Sequence, residues 1–155
     1  MKHDNGNGLD RSPVHLLHRA HQAAGDVFRA EVEIGGLTPR QLAVLLAVSE
    51  NEGLSQTDLV ERTGVDRSTL ADIVRRLIKR RLLTRRRTKD DARTYAVKLT
   101  DEGSRVLRTV APQTKAVDER VLNALAPARR DQFVSALLEL VGALETMAAN
   151  GGQRE

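Results

Sequence analysis

The feature that most constrains this chain is a change of period in its middle. In residues 54–83, "LSQTDLVERTGVDRSTLADIVRRLIKRRLL", Leu70, Ile73, Val74, Leu77 and Ile78 recur at i, i+3, i+4, i+7 and i+8, the stripe of a helix packed on one side. Directly beyond, the period drops to 2. Leu83, Arg85 and Arg87 alternate with Thr84, Arg86 and Thr88; after a polar "KDDA", Tyr95, Val97 and Leu99 alternate with Thr94, Ala96 and Lys98. Two alternating runs around a polar tip predict a β-hairpin. Upstream, Ser55 is placed to cap a short helix with Leu59 and Val60 facing inward. Gly64 sits where a left-handed residue is needed, and Asp66 caps the next helix. Two short capped helices around a glycine turn are the helix-turn-helix signature, although any compact helical bundle can supply such a pair. The hairpin makes the difference: helix-turn-helix followed by a basic hairpin is a winged helix.

The flanks read as helices. Ser12-Pro13 is an N-cap with proline at the first helical position, and the helix it starts carries a stripe through Leu17, Ala20, Ala24 and Val27. That helix is expected to stop near Gly35-Gly36. Thr38, Pro39 and Gln41 form a capping box for the next helix, which carries "LAVLLAV" and should be buried on most of its surface. Thr100 caps a long helix containing Leu107 and Val110, expected to bend at Pro112. After the break "LAPARRDQ", a last amphipathic helix runs through Phe133, Leu137, Leu140, Val141 and Leu144 to Met147. Residues 1–11 and 151–155 read as loose tails.

Charge narrows the function. Between Arg62 and Arg108 there are 15 Lys+Arg against 6 Asp+Glu, while the rest of the chain has 10 against 15. A basic middle with mildly acidic ends is the footprint of a polyanion-binding protein. Aromatic residues number only Phe28, Tyr95 and Phe133, too few for a reader that stacks bases, so duplex DNA is the better polyanion. With no cysteine, the chain has no disulfide framework, thiolate metal site, cysteine nucleophile or thiol sensor. No G-x-G-x-x-G, G-x-S-x-G or H-E-x-x-H occurs, so an enzyme is not expected. No cofactor is expected either. The start lacks a signal-peptide pattern, and "LAVLLAV" is far shorter than the roughly 20 apolar residues of a membrane span, so a cytoplasmic protein without membrane attachment is expected.

The most specific motif is "DARTYAVKLTDEG". It resembles the wing of the MarR family of bacterial transcription regulators, D-x-R, an alternating strand, then L-T-x-x-G, here Asp91, Arg93, Leu99, Thr100 and Gly103. The resemblance runs from about Pro13 to Met147. It implies a mainly α fold with a small β-hairpin wing: a winged helix-turn-helix lobe at residues 38–103 within a domain spanning 12–150. Residues 12–34 and 104–149 are then dimerisation helices of an obligate homodimer on a pseudo-palindromic operator. It also implies that Arg93 enters the minor groove and that Asp91 pairs with an arginine to fix the wing tip. That gives a reason for two carboxylates, Asp90 and Asp91, between "RRRTK" and Arg93, with Asp90 shaping the turn.

The recognition helix presents Arg67, Ser68, Ala71, Asp72, Arg75 and Lys79 away from its apolar stripe, with Thr69 and Arg76 at its margins. Ser55, Arg86 and Arg87 join them as expected DNA contacts. An effector, if the protein has one, is expected between the dimerisation helices and the DNA lobe. His15, His18 and Arg19 are suited to a carboxylate or phenol there, and the start of the chain resembles family members that control breakdown of aromatic acids or their coenzyme A thioesters. His15, His18 and His21 also share roughly one helical face, but no acid or cysteine lies close by in sequence to complete a metal shell, so no metal is expected. The alternatives are a metal-responsive regulator and a ligand-independent architectural DNA-binding protein. The long helical extension argues against the latter.

Overall fold

The computed structural model describes residues 8–32, 36–51, 53–87 and 95–151. Their order is α1 (Pro13–Glu31), α2 (Pro39–Glu50), α3 (Gln56–Thr63), α4 (Arg67–Lys79), β1 (Leu83–Arg87), β2 (Tyr95–Leu99), α5 (Asp101–Asn123) and α6 (Pro127–Gly151). The mainly helical fold with a small hairpin is as expected.

Local chemistry sets the boundaries. Ser12 accepts from the His15 amide, and Thr38 and Gln41 exchange both bonds of a capping box, at 3.1 and 3.2 Å. Ser55 and Asp58 do the same for α3, which ends on Gly64 at φ 64°, its N–H bonded to the Val60 carbonyl. Asp66 caps α4 by accepting from the Thr69 amide at 2.9 Å. The exit of α4 is less ordinary. The Leu82 amide reaches the Leu77 carbonyl and the Arg81 amide the Ile78 carbonyl, a Schellman closure with Arg81 rather than glycine in the left-handed position, φ 60°.

The chain divides into two compact units, one ending at Val117 and one starting at Asp118. In the first, Leu45, Leu59, Leu70, Val74, Leu77, Leu83, Val97 and Val110 are fully buried in one cluster, joined by Phe28 and Val32 at the end of α1. Each such burial contributes about 1.5–3 kcal/mol. The expected stripe of α1 is only half realised. Ala24 and Val27 are half-buried, whereas Leu17 and Ala20 are exposed, because only the last turns of the helix meet this core. The helix ends at Glu31, a few residues before the glycines, with the Val32 amide on the Phe28 carbonyl.

The hairpin pairs Leu83 with Leu99, Arg85 with Val97 and Arg87 with Tyr95. It is pinned to the helix-turn-helix by the Val97 amide, which donates to the Leu54 carbonyl at 2.9 Å. Thr100 then does two things. Its hydroxyl accepts from the Gly103 amide, capping α5, and donates to the Arg81 carbonyl at 2.6 Å. The chain at Leu82 passes so close to α5 that a Cβ at position 103 would lie 2.1 Å from the Leu82 carbonyl oxygen. The L-T-x-x-G motif is therefore the lock between recognition helix, hairpin and α5. Helix α5 continues through Pro112.

The second unit holds the end of α5, a turn at 124–126, and α6. The Arg130 Nε donates to the Leu125 carbonyl at 3.2 Å across that turn. No described side chain of α6 is buried, and Phe133, Val134, Leu138, Leu140, Val141, Leu144 and Met147 are exposed. An 18-residue stretch within residues 127–150 has a mean hydropathy of 1.3, so α6 is long and apolar enough by length and composition to cross a membrane. Sequence reasoning, which weighed only unbroken apolar runs, missed this because Glu139 and Glu145 interrupt the stretch.

Candidate nucleic-acid interface

The outer face of α4 is built by its caps and its stripe. With Leu70, Ile73, Val74 and Leu77 fixed in the core, about 3.6 residues per turn leave Ser68, Asp72, Arg75 and Lys79 along the opposite ridge. Arg67, Ser68, Arg75, Arg76 and Lys79 are exposed, and Thr69 and Asp72 are half-buried. Among the described residues Arg67 and Lys79 have no ion-pair partner. Arg75 and Arg76 share Asp72: one carboxylate oxygen takes the Arg75 guanidinium, and the other lies 2.7 Å from Arg76 Nε.

The cap of α4 reaches into this face. Ser68 Oγ donates to Asp66 at 2.8 Å, so its hydroxyl proton is engaged. The hydrogen bonds from Thr69 and Ser68 hold the Asp66 carboxyl down at about 2, below the ordinary 3.8. Bonds from Ser55 likewise lower the Asp58 carboxyl. Ser55 itself donates to Asp58 at 2.7 Å, so its hydroxyl serves the start of α3.

The hairpin sorts its arginines by parity. Arg85 and Arg87 share the face of Val97 and Tyr95; Arg86 is on the other face with Ala96. Arg87 lies over the Tyr95 ring, 5.9 Å from its centroid. Arg85 lines a groove of about 350 Å³ with Ser55, Gln56, Thr57, Ala71, Tyr95 and Val97. It joins the start of α3, the flank of α4 and the hairpin at one place, and sequence reasoning did not single it out. The period-2 pattern that put Arg85 with Arg87 was the available signal; which hairpin face meets α3 was not. Asp91 and Arg93, the expected wing-tip pair, lie outside the described residues.

On the opposite flank of α4 is a second concavity, about 340 Å³, lined by His21, Gln22, Gly25 and Arg29 of α1, Thr38 to Gln41 of α2, and Thr69, Asp72, Ile73 and Arg76 of α4. Its charged groups are Arg29, Arg40 and Arg76 against Asp72. The expected effector residues are not in its lining. His15 and His18 are nearer the start of α1, on the helix side that continues to Gln22, Gly25 and Arg29 at steps of three and four, and Arg19 leans away from that line. His15 is half-buried, and His18 and Arg19 are exposed. Among the described residues no group of three His, Asp or Glu side chains is placed to hold a metal ion.

Comparison with known proteins agrees with this geometry. Residues 35–94 match the profile of the MarR family. The transcriptional regulator HosA of Escherichia coli O157:H7 is 31% identical over 113 residues, 73% of this chain and 84% of HosA. The structure of the PcaV regulator of Streptomyces coelicolor in complex with its natural ligand is 34% identical, with a TM-score of 0.83 over 90% of this chain and 98% of PcaV. That of Bordetella bronchiseptica BpsR, whose DNA binding is regulated by 6-hydroxynicotinic acid, is 29% identical, with a TM-score of 0.76 over 83% and 97%. A capped recognition helix, an arginine-rich hairpin locked by L-T-x-x-G, and these relatives lead to one conclusion: the chain belongs to the MarR family of DNA-binding transcriptional regulators.

Proposed function

We propose that the protein is a homodimeric repressor that holds a pseudo-palindromic operator through α4 and the hairpin and is released by a small aromatic acid. The observation that carries this reading is the cleft between α1, the start of α2 and α4. It shares Asp72 and Arg76 with the recognition helix, so an occupant touches the element that reads DNA. Its volume of about 340 Å³ is at the small end of ligand pockets and suits a single-ring acid; a coenzyme A thioester would leave its carrier outside. Arginines favour a carboxylate, and His15 and His18 extend the same side of α1 toward the helix start, with Arg19 set off that line. The regulation of BpsR by 6-hydroxynicotinic acid supports the ligand class.

On DNA, Arg67, Ser68, Arg75 and Lys79 face the major groove with Thr69 at its edge, and Arg76 backs them from the cleft side. Ser55, Arg85 and Arg87 contact phosphates, Arg86 on the other hairpin face contributes less, and Arg93, steadied by Asp91, enters the minor groove. Residues 12–34 and 104–149 form the dimerisation region, and residues 38–103 the DNA-binding lobe. The exposed Val14, Leu16 and Leu17 of α1 and the apolar side of α6 are the surfaces a second copy covers. Glu139 and Glu145 make a lipid-spanning α6 the costlier alternative. The deciding experiment is operator release, read by fluorescence anisotropy, with benzoate, hydroxybenzoates, cinnamates and 6-hydroxynicotinate, free and as available thioesters. At least one free acid should release wild type, and Arg76→Ala or Arg29→Ala should blunt the response. If none of the compounds releases wild type, the effector assignment is wrong.

A further inference from the structure

We infer that Asp72 is the positioning residue through which an anion in the cleft and DNA on α4 oppose each other; the ligand half of this statement rests on the effector reading above. Asp72 stands between two arginines on a helix of about 3.6 residues per turn, Arg75 on one side and Arg76 on the other. Each takes one carboxylate oxygen. Asp72 and Arg76 line the cleft and Arg75 does not. Arg75 instead stands on the ridge with Ser68 and Lys79, its side chain 76% exposed. One carboxylate thus joins a guanidinium that faces the cleft to one that faces the duplex.

The electrostatics give the direction of the coupling. A carboxylate on a DNA-reading ridge repels phosphates unless a cation neutralises it. With Arg76 in place, Asp72 stays neutralised when Arg75 leaves it for DNA. An anion in the cleft draws Arg76 to itself. Asp72 then retains Arg75 and presents its charge to the duplex, and affinity falls. Each ligand weakens the other by the same factor, as linkage requires.

The test is a double-mutant cycle on operator affinity with wild type, Asp72→Asn, Arg76→Ala and the double variant, each checked for its melting temperature. All these side chains are at least partly exposed, so folding is preserved. Arg76→Ala mimics the occupied cleft and should weaken binding by roughly three- to tenfold, an effect that shrinks as salt rises. Asp72→Asn should tighten binding by about two- to threefold, and the double variant should return to within about twofold of wild type. A double variant as weak as Arg76→Ala would mean that Arg76 acts by touching DNA itself, and would overturn the inference; so would an Arg76→Ala that binds like wild type. A second arm adds 6-hydroxynicotinate. Release of wild type with a clearly reduced response of Asp72→Asn supports the coupling, and equal release of both overturns it while leaving the effector reading intact. If this acid and the panel above release nothing, the effector reading fails, and the cycle alone decides the role of Asp72.

Discussion

Gly103 is the residue whose identity the fold specifies most tightly. A methyl group there would meet the Leu82 carbonyl oxygen at 2.1 Å and Leu99 Cδ2 at 2.9 Å, and the carbonyl is backbone held by the Thr100 hydroxyl and amide. Leu99 Cδ2 can swing aside, but the carbonyl gives way only by moving the exit of α4. Gly103→Ala should therefore cost about 3 kcal/mol or more in urea unfolding, the upper end for overpacking, and weaken operator binding with it. A loss below about 1 kcal/mol would mean that the contact relaxes cheaply. Arg81 is the converse case, a side chain in a left-handed position that glycine occupies without strain. Arg81→Gly should raise stability by up to about 1 kcal/mol, because the steric cost of a Cβ there exceeds the extra unfolded-chain entropy of glycine. The need for Gly103 was legible as a motif, but its reason was not, since the carbonyl it meets comes from the far side of the hairpin.

At the scale of elements, the helix-turn-helix was readable because its determinants are local. Ser55, Gly64 and Asp66 act within three or four residues of themselves, and the stripe of α4 needs only a core to face. The cap of α4 has a pH consequence with a definite sign. Asp66 is held at about 2 when folded, below its ordinary 3.8, so between those values the unfolded chain binds more protons. Its contribution is fully present above about pH 4 and is lost as pH falls through 2. Asp66→Asn, still a good cap but without charge, should flatten that part of the acid limb in melts from pH 2 to 5. An unchanged limb would place the acid sensitivity elsewhere. What stayed hidden depends on contacts between elements. The Leu54–Val97 pairing decides which arginines face α3 and α4, and it brings Arg85 into the groove. Arg85→Ala should weaken operator and random duplex alike and lower the salt slope by about one, more than Arg86→Ala does. The opposite order would put the other hairpin face on DNA.

For the whole molecule, the unanswered apolar surface is the strongest constraint. The first unit buries the stripe of α4, yet Val14 is 78% exposed at one end of the chain, and Leu138 and Met147 are 70% and 67% exposed at the other. Sequence periodicity marked these helices as amphipathic but could not by itself decide whether a partner lies outside the chain, because a stripe reads the same whether its own fold or a second copy covers it. Exposed apolar area of this extent is costly for a lone chain and drives association by burial. The protein should therefore sediment at twice its 17.1 kDa across the micromolar range. It should protect two half-sites about 10 base pairs apart. Leu138→Glu with Leu144→Glu places charge on that surface while leaving the core around Leu70 and Val97 untouched. It should yield monomers whose α4 and hairpin keep their fold but bind a full operator more weakly than wild type by at least tenfold, since the second half-site no longer arrives tethered to the first. Wild type that sediments as a monomer, or a monomeric variant that binds the full operator as tightly as wild type, would remove dimerisation from the account of how this chain holds DNA.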